Sequence, residues 1–310
     1  MEILKNPNFD FLGRAKYFAI VSLLLVAAGI YATASGQVRY GVEFSGGTQL
    51  ILQFQSPPEI ENIRDSVEKA SPGSVIQTFG EAEDNKVLIR LALEADDADL
   101  DAPARTALAA LANSYGDNPV IESSSEIVGP IVGAELRRKA VLLVSLGLLF
   151  QLIYLAVRFK GGIWGLGAAV AALHDVIVAL GILSFAGYEI TLNVIAALLT
   201  LVGYSVNDTI VIFDRARENL GQRRKLSMTQ LLNNSINQTL SRTVITSGTT
   251  FLALLGLYLL GGDVLRGFSF VLLLGTVVGT YSTMFIAVPL VDWWYGRKGK
   301  AAAPAAKAAL

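Results

Sequence analysis

The sequence predicts a polytopic α-helical membrane protein: six transmembrane helices with a ferredoxin-like α+β external domain inserted between helices one and two. Three observations predict it. The 310-residue chain is 53% hydrophobic and only 16% charged, with a mean hydropathy of +0.51, whereas a soluble domain carries about 25% charged residues. Its apolar residues gather into six runs long enough to cross a bilayer, which takes roughly 17–25 residues each. Its acids gather between the first two runs. There, between Gly36 and Arg137, seventeen acids face six bases, a net −11 against +10 for the rest of the chain.

The composition also excludes several classes. Cysteine is absent and His174 is the single histidine, so a disulfide scaffold and the usual structural zinc sites are ruled out, and no metal or other cofactor is expected. No phosphate-binding glycine loop or dinucleotide fingerprint occurs. The acidic insert would repel phosphates, which argues against a nucleic-acid partner.

In chain order, the first span is expected near Tyr17–Ser35. Ala32-Thr33-Ala34 mimics a signal-peptidase site, but the apolar run is longer than a signal core of roughly 7–15 residues and reads as a retained anchor. The insert alternates helix and strand signals. Thr48–Phe54 alternates as a strand, and Pro57-Pro58 opens a helix over Glu59–Ala70. Val75–Phe79 and Lys86–Leu93 form a hairpin around Glu81–Asn85. A second helix runs from Asp101 to Tyr115, with Asp101 as N-cap and Pro103 in its first turn. Pro119–Val128 is the last strand. The order βαββαβ is that of a ferredoxin-like fold.

Five further spans are predicted near Lys139–Val157, Gly162–Gly187, Ile190–Phe213, Thr243–Leu260 and Leu265–Val291. The domain boundaries are therefore 1–35, 36–138 for the insert, 139–295 for the remaining bundle and 296–310 for an unstructured Ala/Lys tail. Lys5, Arg14, Lys16, Arg158, Lys160, Arg215, Arg217, Arg223, Arg224, Lys225, Arg297, Lys298, Lys300 and Lys307 fall on one side if the N-terminus is inside. The excess of short-loop bases on that side places both termini in the cytoplasm.

Ionisable residues at bilayer depth cost about 2.5–3.5 kcal/mol on insertion scales and mark functional positions. In span four, Thr200, Gly203, Tyr204, Asn207, Asp208, Asp214 and Arg215 share a face about 140° wide at about 100° per residue. Asp214 reads either as a relay carboxylate or as a membrane-edge residue beside Arg215 and Arg217. Asp208 lies two turns deeper. At span five, Asn234, Asn237, Gln238, Ser241, Arg242, Gly248 and Thr249 share a face, and Arg242 is either a membrane-edge anchor or an alternating partner of Asp208. Span three carries His174-Asp175 among Ala168, Ala171, Ala172 and Ala179. This pair is either a structural hydrogen bond or a further relay step. Gly161–Gly165 and Gly275–Gly279 have the small-xxx-small spacing of packed helices.

The run Val202–Glu218 (VGYSVNDTIVIFDRARE) resembles the signature of the SecF family, membrane subunits of the bacterial Sec export machinery. Asn8-Phe9-Asp10-Phe11, Gly41–Gly47 (GVEFSGG), Val128–Gly133, His174-Asp175 and Asn237–Thr243 agree in order. Glu43 stands where the family often has aspartate. The resemblance implies a six-span subunit related to RND transporters. It would act in the bacterial inner membrane with SecD, beside the SecYEG channel and YajC, and use the proton-motive force to move unfolded preproteins. It implies relay roles for Asp208 and Arg242 and a hinge at Gly46-Gly47 between span one and the external sheet.

Two other readings are open to these residues. An RND-like half-transporter of small molecules or lipids would share the fold, but it usually carries a second six-span half. An intramembrane aspartyl protease would use Asp175 with Asp208 or Asp214, yet the YD and GxGD signatures are absent.

Overall fold

The computed structural model describes residue 4 and residues 7–36, 38–80, 82–91, 101–159, 162–222 and 226–307. Glu81 of the expected hairpin turn, residues 92 and 93 of the expected third strand, Lys5, Lys160, Arg223, Arg224 and Lys225 of the basic clusters, and Gly161 lie outside these.

Six spans form, all but the third longer than the predicted apolar run. They are α1 (Phe11–Ala34), α5 (Pro130–Arg158), α6 (Ile163–Phe185), α7 (Leu192–Gln222), α8 (Met228–Leu260) and the pair α9 (Asp263–Ser282) and α10 (Val288–Lys307). A π-turn over Thr283–Ala287 joins the last two into one rod. Among the described residues, six segments are long and apolar enough to cross a membrane. The extra turns lie mostly at the end away from the insert. There α7 and α8 continue past the apolar run as a packed pair, with Asn219 Nδ2 donating to Ser235 Oγ at 2.8 Å. Hydropathy windows stop where lipid would stop; helix–helix packing does not.

Local chemistry sets the ends. Asp10 caps α1 by accepting from Gly13 N at 2.9 Å. Ser227 and Gln230 close a capping box on α8. At the C-terminus the structure corrects the sequence reading: α10 runs through Lys307 where an unstructured tail was expected from 296. Its alanines, lysines and Arg297 favour helix and continue one already begun in the bundle, although Gly296, Gly299 and Pro304 within the stretch oppose it.

The insert holds β2 (Gly47–Phe54), α3 (Ile60–Ala70), β3 (Val75–Phe79), β4 (Lys86–Leu91), α4 (Ala102–Ser114) and β5 (Val120–Val128). Its sheet is antiparallel with order β3-β4-β2-β5, the ferredoxin-like arrangement. Each predicted strand lies within two residues of the observed one over the described positions. Leu50, Leu52, Phe54, Val87, Ile89 and Leu91 meet Ile63, Val67 and Leu111 of the helices in a separate core.

Three short elements were not expected. β1 (Arg39–Tyr40) pairs in parallel with β6 (Glu189–Ile190), and α2 (Val42–Ser45) precedes the sheet. Gly46-Gly47 therefore join α2 to β2, not span one to the sheet. Both take left-handed φ, 71° and 126°, and a Cβ on Gly47 would stand 2.7 Å from the Leu91 carbonyl oxygen.

In the bundle, α6 is the central helix, buried along most of its length. Glycine brings α1 against it: a Cβ on Gly181 would lie 2.4 Å from Gly29 Cα. The predicted Gly275–Gly279 spacing does the same between α9 and α7, where those glycines accommodate Leu201 and Ser205.

Candidate functional site

Midway along the bundle, three helices converge on buried polar groups. Asp175, on α6, is fully buried because its small neighbours, Ala171, Ala172 and Ala179, draw the packed helices close. Its Oδ2 accepts from Ser205 Oγ of α7 and from Ser282 Oγ of α9 at 2.8 Å. Its Oδ1 meets His174 Nδ1 at 2.9 Å. One turn along, Thr209 Oγ1 and Thr283 Oγ1 are 2.8 Å apart. This polar layer ends where the π-turn begins, a local widening found often at functional sites.

Asp208, on α7, is 4% exposed. Its Oδ2 accepts from Ser247 Oγ of α8 at 3.2 Å, and that hydroxyl meets Thr280 Oγ1 at 2.8 Å. Asp175 and Asp208 thus bind separate sets of hydroxyls instead of sharing a proton with each other, which counts against the aspartyl-protease reading. Arg242 and Asp208 form no ion pair within 4 Å among the described residues, so the alternating pair is not closed in this arrangement. Arg242 is exposed. Three polar atoms around the layer are buried without a hydrogen-bond partner: His174 Nε2, Tyr204 Oη and Thr243 Oγ1. Such atoms are uncommon in folded proteins and each needs an explanation.

Asp214 lies apart from both buried carboxyls. It pairs with Arg158 at the end of α5, and Arg215 turns instead to Glu218 and Gln238. Thr200, Gly203 and Asn207 of α7 and Arg242, Gly248 and Thr249 of α8 are exposed at bundle depth, although lipid would penalise such a stripe.

The predicted span-five face divides. Asn237 does not face α7: its Oδ1 accepts from Phe9 N at 2.8 Å and its Nδ2 donates to Phe9 O at 2.9 Å. Asn233 binds Phe11 N and Phe9 O at 2.8 Å each, and Ser241 binds Leu4 N at 2.9 Å. These positions, spaced four apart, hold Leu4, Phe9 and Phe11 at the N-terminal side of α1. Sequence reasoning missed Ser205, Ser247, Ser282, Thr280 and Asn233. Hydroxyls inside apolar helices were the available signal, but a lone serine in a helix commonly bonds its own backbone.

This architecture, a six-span bundle with an inserted ferredoxin-like domain and buried carboxyls at mid-depth, defines a polytopic membrane transport component. Two family models match the chain: "Protein export membrane protein SecD/SecF, C-terminal" over residues 108–297 and "SecD/SecF GG Motif" over residues 32–58. It is 42% identical to the protein translocase subunit SecF of Calditerrivibrio nitroreducens, over 94% of this chain and 96% of that one. It is 40% identical to the protein translocase subunit SecF of Gemmatimonas aurantiaca, over 96% and 90%. A crystal structure of SecDF from Thermus thermophilus, described as a translocon-associated membrane protein, superposes with a TM-score of 0.82 at 38% identity. That match covers 94% of this chain and 39% of the longer SecDF chain. SecDF in a super-membrane-facing form gives 0.71 at 41% identity, over 97% and 40%. The chain belongs to the SecD/SecF family of protein-export membrane proteins, and its role is that of an auxiliary translocase subunit.

Proposed function

We propose that the chain acts with a SecD partner as a proton-coupled subunit of the Sec translocase in the bacterial inner membrane. The observation that supports this best is Asp208. It is a buried carboxyl held by a neutral hydroxyl network, with Arg242 on the next helix, the orphaned Tyr204 four residues before Asp208 on α7 and the orphaned Thr243 four residues before Ser247 on α8. A carboxyl in this setting has two arrangements. Protonated, it rests among hydroxyls; ionised, it draws the Arg242 guanidinium, and Tyr204 and Thr243 gain partners as the helices shift. Asp175 and His174 form a second, deeper centre that positions α7 and α9 around that movement.

The exposed stripe of Thr200, Gly203, Asn207, Arg242 and Thr249 is the surface on which SecD packs, which removes it from lipid. The SecDF relatives, in which this chain corresponds to about two fifths of one polypeptide, support that pairing. The excess of bases at the end opposite the insert supports cytoplasmic termini. The insert then lies outside, where a preprotein leaves SecYEG, with YajC as a further neighbour. The RND-like half-transporter reading is left without a supporting feature of its own.

The test is preprotein export into inverted membrane vesicles holding SecYEG, SecD and this chain, with and without a proton gradient. Asp208→Asn keeps the shape and removes titration. Loss of gradient stimulation with normal insertion supports the proposal, and a wild-type response refutes it.

A further inference from the structure

The inserted domain meets the bundle at the loop that leads into α7. There β1 and β6 pair over two residues each, and Gly41 N donates to Ile190 O at 2.9 Å. Glu43 Oε1 accepts from Leu192 N, in the first turn of α7, at 3.4 Å. Arg90 of β4 closes an ion pair with Glu189 of β6, their side chains 18% and 15% exposed. A two-residue ladder is too short to hold its own register. A mostly buried ion pair contributes little net stability, because desolvation offsets the attraction. It is nonetheless directional, and Arg90 Nε is buried there without a partner, so burial has been accepted without full satisfaction.

Both ends of this pair adjoin longer elements. β4 is an inner strand, and Arg90 sits between Gln49 and Val75 of its neighbours. Glu189-Ile190 runs into α7 with Thr191 alone between them. α7 then continues unbroken to Asp208, about 24 Å along the axis at 1.5 Å per residue.

We infer that Arg90 and Glu189 are positioning residues: their pair latches the inserted domain to the start of α7, so that displacement of the Asp208 helix and reorientation of the domain are one movement. The inference rests on the proposed role of Asp208. It differs from that role in assigning the mechanical link to two residues far from the proton site.

The experiment compares wild type, R90E, E189R, the R90E/E189R double, E189Q and D208N in the same inverted vesicles, recording insertion, export without a proton gradient and its stimulation by one. Each single variant is expected to insert normally and keep gradient-independent export. Its gradient stimulation should fall at least about fivefold, the lower end of a typical coupling between sites, and the double reversal should restore it. A merely structural role would lower insertion and both forms of export together. Wild-type stimulation in E189Q and in both single reversals overturns the inference, as does a double reversal no better than the singles. If D208N keeps full stimulation, the relay reading fails. If D208N loses it and the latch variants do not, the latch alone fails.

Discussion

Replacing Asp175 by alanine should destabilise the bundle more than any single change to the groups around it. The carboxyl accepts from Ser205 and Ser282 of two other helices and meets His174 Nδ1 of its own, and all three side chains are buried. Hydrogen bonds between membrane helices contribute about 0.6 kcal/mol on average and up to about 1.7. Asp175→Ala removes three at once, a loss of about 2–5 kcal/mol on that scale, and adds a small cavity. Ser205→Ala or Ser282→Ala removes one, at about 0.6–1.7 kcal/mol, and leaves the other donors in place. Asp175→Asn keeps an acceptor oxygen for both serines and should fall between. The assay is reversible unfolding of the purified protein in mixed micelles, followed by circular dichroism, with the four variants compared at one pH. An Asp175→Ala midpoint equal to that of the single serine variants would refute the reasoning, because it would mean that the three bonds do not converge on one carboxyl.

Other expectations concern separate parts of the chain. Gly181→Val forces side-chain atoms into the α1 backbone at Gly29 and should abolish stable folding, read as loss of monodisperse protein after extraction. Gly47→Ala meets both a left-handed backbone and the Leu91 carbonyl, so proteolysis should cut the inserted domain faster while the bundle survives. Glu126, on β5, has its carboxyl raised above the ordinary range by partial desolvation and then by the charge of Glu43. Because the folded protein holds that proton more tightly than the unfolded chain, its ionised form costs stability at neutral pH, and the cost fades as pH falls through the folded-state value. Glu126→Gln should therefore raise the melting temperature at pH 7 and leave it unchanged near pH 4; an equal change at both would contradict this.

The inserted fold was legible because its signals are local: TQLILQF alternates, Pro57-Pro58 and Pro103 open helices, and turn residues fall between. β1, β6 and α2 were not, because two-residue strands have no periodicity and exist only through the tertiary contact they make. Span number and order followed from hydropathy, but the far ends of α7 and α8 did not, since Asn219, Ser235 and Gln238 bind each other outside any apolar run. At the site, the carboxyls were visible as charges in apolar helices. Their partners were not, because Ser205, Ser247 and Ser282 differ from other serines only in which helix they face. Asn237 was legible only as a member of the Arg242 face; its bonds to the backbone of Phe9 depend on how the segment before α1 folds back.

Infrared difference spectroscopy on the purified complex with SecD, reconstituted so that a proton gradient can be imposed, tests the central claim most directly. A carboxylic-acid carbonyl band that rises or falls on imposing the gradient, and disappears in Asp208→Asn with the Asp175→Asn spectrum keeping it, is the predicted result. A gradient-dependent spectrum that is the same in wild type and Asp208→Asn would show that this carboxyl does not change its protonation, and the proton-coupled account would fall.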